Sequence, residues 1–116
     1  MRLLIADPDR DFLASYRKIS EARGHEVTAV FDGVTAVVKI GAESYDAVFV
    51  NEAIPRVAYR EIVSLAKEKN EKTVILTDNI RTILKSKKEN GSEPILAFPF
   101  TPDEFFESVG GEEKNE

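Results

Sequence analysis

Five short apolar runs punctuate the chain: Leu3–Ala6, Val27–Phe31, Ala47–Val50, Thr73–Thr77 and Ile95–Phe98. Each is four or five residues long and almost continuously apolar. Strands covered on both faces read in this way, whereas a strand with one wet face alternates. The segments between the runs carry apolar residues at steps of three and four, the period of a helix with one buried stripe.

The first such segment, Asp9 to Arg23, sets Phe12, Leu13, Tyr16, Ile19 and Ala22 on one stripe and stops at Gly24, which supplies the left-handed backbone that ends many helices. The second, about Val34 to Glu43, follows the turn signal Asp32-Gly33 and is expected to turn Val34, Val37, Val38 and Ile40 inward. The third, about Ala58 to Lys69, carries Ile62, Val63, Leu65 and Ala66. The fourth, about Asn79 to Lys88, rests on Ile80, Ile83 and Leu84 and ends at Asn90-Gly91. In the last, Thr101 caps, Pro102 suits the first helical position and Glu104 closes a capping box. Phe105, Phe106 and Val109 follow before Gly110-Gly111.

The pattern is (βα)5. Such alternation predicts an α/β fold, a doubly wound five-stranded parallel sheet with helices on both faces. Right-handed crossovers favour the strand order 2-1-3-4-5. Residues 1–109 form one domain in this reading. Residues 110–116, acidic and without an apolar anchor, are expected to be disordered.

Composition narrows the function more than the fold. A net charge of −5 argues against nucleic acid as a partner, because phosphate neutralisation needs clustered cations. The nearest cluster, Lys85, Lys87 and Lys88, runs into Glu89 and reads as a solvated helix face. The absence of cysteine removes disulfides and thiolate metal sites. No apolar run approaches the ~20 residues of a membrane span, and the N-terminal run is too short for a signal peptide. A cytoplasmic protein without a membrane segment is the expectation.

In a sheet of this kind ligands bind beyond the carboxyl ends of the strands. Asp7, Pro8 and Asp9 follow the first strand; Asn51, Glu52, Ala53, Ile54 and Pro55 follow the third. Thr77, Asp78 and Asn79 follow the fourth, and Phe98, Pro99 and Phe100 the fifth. No glycine-rich phosphate loop follows the first strand. His25 is the only histidine; it lies after the Gly24 stop, far from these ends, and reads as a surface residue.

In order and spacing, Leu3-Leu4-Ile5-Ala6-Asp7, Tyr45 to Asn51 with Pro55 four residues on, Val74-Ile75-Leu76-Thr77 and Phe98-Pro99-Phe100 resemble the receiver domain of two-component response regulators, the CheY-like fold. The resemblance covers about residues 1–109. It implies a site where an acidic pair binds magnesium, an aspartate takes a phosphoryl group, and a hydroxyl and a lysine contact the phosphoryl oxygens. Carried over, Asp7 matches the first acid and Pro8 falls on the second. Asn51 falls on the phosphoacceptor, Thr77 matches the hydroxyl, Phe98 falls on the lysine and Ile95 on an aromatic switch position.

Each departure weakens the chemistry. Aspartyl-phosphate formation depends on a nucleophilic carboxylate, and the Asn51 amide is neutral. Magnesium prefers hard anionic oxygens, of which Asp7 alone remains. Phe98 offers phosphate no cation, a loss worth about 2.7–4 kcal/mol of transition-state stabilisation by analogy with a deleted oxyanion donor. The resemblance therefore points to a degenerate pseudo-receiver: no enzyme, no required cofactor, and signalling by phosphorylation-independent protein contact. A weak Mg2+ site from Asp7, Asp9 and Glu52 is the residual metal reading, with helix capping by Asp7 or Asp9 as its competitor. The family's docking face implies Ile95, Phe100, Phe105 and Phe106 as partner-facing candidates, with at least three of the five aromatic and aliphatic residues around Phe98 in the core. A sensor kinase, an output domain or a second copy is the implied partner. Two alternatives stand beside this reading: a phospho-receiver using Glu52 as a shifted acid, and a flavodoxin-like small-ligand domain, whose flavin phosphate Asp7-Pro8-Asp9 would repel.

Overall fold

The computed structural model describes residues 1–88 and 93–110. Its strands are β1 (Arg2–Ala6), β2 (Glu26–Val30), β3 (Ala47–Asn51), β4 (Lys72–Thr77) and β5 (Ile95–Ala97). Its helices are α1 (Arg10–Ala22), α2 (Gly33–Ala42), α3 (Tyr59–Glu68), α4 (Ile80–Lys88) and α5 (Pro102–Glu107). All strand pairs are parallel and the order is β2-β1-β3-β4-β5, as the alternation predicts. The Asn90-Gly91 stop, Glu89 beside the lysine cluster and residues 111–116 of the acidic tail lie outside the described residues.

Successive side chains of a strand point to opposite faces, so each buried run feeds two cores. Leu4 and Ala6 of β1, with Val48 and Val50 of β3, pack under Ala36 and Ile40 of α2 and Ile62, Val63 and Ala66 of α3. Leu3 and Ile5, with Phe49, Val74 and Leu76, pack under Leu13 and Tyr16 of α1 and Phe105, Phe106 and Val109 at the C-terminal end. Continuous apolarity is thus the signature of a sheet with no wet face.

Local chemistry places the helix starts. Asp9 accepts hydrogen bonds from the Asp11 and Phe12 amides, at 3.0 and 3.1 Å, so α1 begins at Arg10 with Asp9 as its cap. Thr101 and Glu104 form the expected capping box, with Pro102 opening α5. Gly24 ends α1 at φ +90°, a conformation costly for any side chain. Gly33 answers a different need. A Cβ there would sit 2.7 Å from Val57 Cβ, and its amide donates to the Pro55 carbonyl at 2.8 Å. The close approach ties the loop after β3 to the start of α2.

Two stripes differ from expectation. Val34 and Val38 of α2 face solvent, and so do Ile80 and Leu84 of α4, which are 63% and 59% exposed. Helix α2 is apolar on most sides, so periodicity alone does not say which face the sheet will take. His25 is half-buried, with its ring stacked on Phe106 at 5.2 Å between centroids and its Nδ1 2.9 Å from the N-terminal amine. It is a packed residue, not a free surface one.

Candidate functional site

The carboxyl ends of β1, β3, β4 and β5 surround a cleft of about 280 Å3 lined by Asp7, Pro8, Asp9, Asn51, Ala53, Asp78 and Phe98. Asp7 is at its floor and 1% exposed, because its backbone still extends the β1–β2 ladder by donating to the Val30 carbonyl. Its two carboxylate oxygens are both taken. Oδ1 accepts from the Asp9 amide at 2.8 Å, and Oδ2 accepts from Asn51 Nδ2 at 3.0 Å. The other end of the Asn51 amide, Oδ1, accepts from the Ala53 amide at 2.8 Å. The Asn51 side chain therefore fits in one orientation, with its donor on the buried acid and its acceptor on the loop.

Burial pushes the Asp7 carboxyl above the ordinary carboxylate value, and the negative charges of Asp9 and Asp78 push the same way. The hydrogen bonds from Asp9 and Asn51 oppose that shift without cancelling it. This is the behaviour of an acid held in an electronegative, partly dry cleft with one neutral side-chain donor for company.

Thr77 and Glu52 form a second cluster beside the cleft. Thr77 is fully buried, and its hydroxyl donates to Glu52 Oε2 while accepting from the Asn79 amide at 2.9 Å. Glu52 Oε1 accepts from the Thr82 hydroxyl of α4 at 2.6 Å. The Glu52 carboxylate lines a larger groove of about 550 Å3 between α3 and α4, with Tyr59, Arg60, Lys85 and Ile95. It is not among the residues lining the Asp7 cleft. The expected grouping of Asp7, Asp9 and Glu52 is accordingly not formed: two hydroxyls hold Glu52 elsewhere, and Asp78 is the third acid of the cleft.

Phe98 forms a wall of the cleft without filling it. Its ring meets Phe12 edge-on at 5.2 Å and Phe100 at 4.6 Å, which draws it toward α1. Phe105 and Phe106 are core residues, 0% and 1% exposed, so neither can face a partner. Phe105 stacks on Phe49. Of the four partner-face candidates, Ile95 and Phe100 stay half-buried against the two cores. The exposed apolar residues of that region are instead Ile80 and Leu84, one helical turn apart on α4. Their spacing is visible in the sequence, where it suggests an inward stripe.

Comparison with known structures places this arrangement. The Francisella response regulator 1452 receiver domain superposes with a TM-score of 0.78 at 25% identity, covering 94% of this chain and 93% of that one. By fold, the chain is CheY-like and similar to response-regulator receiver domains. A receiver protein from Sinorhizobium medicae gives a TM-score of 0.82 at 22% identity over 95% and 91% of the two chains. Response regulator TrrA from Thermotoga maritima, in complex with Mg2+–BeF, gives 0.76 at 23% identity over 94% and 96%. The transcription factor SKN7 of Candida albicans is 30% identical over 107 residues, which are 90% of this chain and 19% of that protein. The chain thus spans about a fifth of that relative's length. No family model matches it.

TrrA is in complex with Mg2+–BeF, and the donors of the present cleft bear on whether such an ion fits here. The match is partial: Pro8 offers no side-chain ligand, and each Asp7 oxygen already accepts one hydrogen bond, from the Asn51 side-chain amide and from the Asp9 backbone amide. Among the described residues no group of three acidic or histidine side chains is arranged to hold a metal ion. Among the same residues, no helix is long and apolar enough to cross a membrane.

Proposed function

We propose that this receiver domain signals by contact with another protein and takes no phosphoryl group. The observation that carries the reading is the Asn51–Asp7 hydrogen bond. At the third-strand position the chain presents a neutral amide, and the amide spends its donor on the buried acid. A nucleophile has been exchanged for a structural partner. Pro8 and Phe98 support the same reading, since neither replaces the second acid or the cation that phosphoryl chemistry would use.

Ile80 and Leu84 on α4 support the contact half of the proposal. Large aliphatic side chains at this exposure, one turn apart, suit the apolar anchor of a small interface. A cytoplasmic setting and a kinase or output domain as partner belong to the same proposal. A flavin phosphate is a poor alternative occupant, because Asp7, Asp9 and Asp78 would repel it.

The test is intact-mass measurement after incubation with acetyl phosphate and Mg2+. An unchanged mass is the expected result. A stoichiometric phosphoryl gain on any residue overturns the reading.

A further inference from the structure

Glu52 stands beside the cleft and takes no part in lining it. Its backbone amide still donates to the Leu76 carbonyl at 3.0 Å, which extends the β3–β4 ladder by one residue. That register turns its side chain away from Asp7 and toward α4. There its two oxygens take two hydroxyls from two elements: Thr77 at the end of β4 and Thr82 in the first turn of α4. The intervening loop is closed by short-range bonds. Asn79 donates to the Thr77 hydroxyl, and its own Oδ1 and carbonyl accept from the Arg81 and Thr82 amides at 3.0 Å each. The start of α4 is therefore fastened to the sheet through one carboxylate.

We infer that Glu52 is a positioning residue, an acceptor internal to the chain that holds Thr77 and α4 in one arrangement without any bound or transferred group. A buried hydroxyl such as Thr77 needs an acceptor, and an anionic one gives the stronger bond. Elsewhere in α4 the restraint is thin. Ile80 and Leu84, two of its apolar residues, point outward, so packing contributes less to its position than it does for α1 or α3. The clamp fixes the orientation in which those two residues are presented. It rests on the reading that the strand ends take no phosphoryl group, because a phosphoryl oxygen would compete for the Thr77 hydroxyl.

Amide hydrogen exchange on the intact chain tests this. E52A and T82V should each speed exchange of the Arg81–Ser86 amides by about tenfold, the loss of one to two net hydrogen bonds expressed as a local opening. Exchange in α1 and α3 should stay unchanged. E52Q, which keeps an oxygen acceptor and a group able to pair with a hydroxyl, should restore most of the protection. Unchanged α4 protection in both E52A and T82V overturns the inference, as does a uniform rise across all helices or a failure of E52Q to rescue. T82V keeps the test informative where E52A folds poorly. The outcome is independent of the phosphodonor experiment: a mass gain would remove the functional reading, while unchanged α4 exchange would remove the clamp alone.

Discussion

Asn51 Nδ2 lies 3.0 Å from Asp7 Oδ2, a neutral donor against a carboxylate that is 1% exposed. Replacing Asn51 by Asp would put two carboxylates at that distance with no donor between them. N51D should therefore cost about 1–3 kcal/mol at neutral pH. The loss should shrink at mildly acidic pH, where one acid of the pair takes a proton and becomes a donor. Urea denaturation at the two pH values checks both parts. Equal or greater stability of N51D at neutral pH would show that the amide is not holding the acid.

Asp7 itself should titrate above its ordinary value of 3.8, chiefly because burial penalises the charge. The sign of the consequence is the reverse of that for a salt-bridged acid. The folded state holds the proton more tightly than the unfolded chain, so the favourable contribution is complete below the unfolded value. It is lost as pH rises through the folded one. Side-chain carbon NMR of Asp7 should give a midpoint above 3.8, and D7N should lack that portion of the stability slope. A midpoint at or below 3.8 refutes it.

The aromatic residues separate core from surface. F105A removes a fully buried ring stacked on Phe49 and should destabilise the domain by about 3–5 kcal/mol. I80S and L84S alter exposed side chains and should stay within about 0.5 kcal/mol of the parent. Thermal melts of the three variants rank them directly. A large loss in L84S would mean that α4 packs on the sheet through that residue.

How far these features can be read in advance depends on whether they are local. The strands, their parallel order and the Thr101–Glu104 capping box follow from runs and spacings within a few residues. The departures Pro8, Asn51 and Phe98 are equally plain, because each is an identity at a strand end. The outward turn of Val34, Val38, Ile80 and Leu84 is not readable: those helices have apolar residues on more than one side, and the sheet chooses between them. The pairing of Glu52 with Thr77 and Thr82 is not readable either. It depends on the β3 ladder continuing one residue beyond Asn51, which turns the Glu52 carboxylate away from Asp7. Phe105 and Phe106 resemble partner-face residues in sequence because a phenylalanine has the same signature in a core and in an interface.

The identities of Pro8, Asn51 and Phe98 at three separate strand ends give the last prediction. A phosphoryl acceptor at this cleft would need a nucleophilic carboxylate, a second acid to share a cation with Asp7, and a positive charge near the leaving oxygens. Asn51, Pro8 and Phe98 each withhold one of these. N51D alone supplies the nucleophile into a cleft already carrying Asp7, Asp9 and Asp78, so repulsion and the missing cation should leave its mass unchanged by acetyl phosphate and Mg2+. P8D/N51D should gain a magnesium-dependent shift in the carboxyl resonances of Asp7 and of the two introduced acids, because hard oxygens then outnumber the donors that block them. Phosphoryl uptake should appear only when F98K is added, since the ring sits at the cleft wall from which a lysine could reach. Phosphorylation of N51D by itself would mean that the amide is the whole of the block, and that Pro8 and Phe98 are incidental to it.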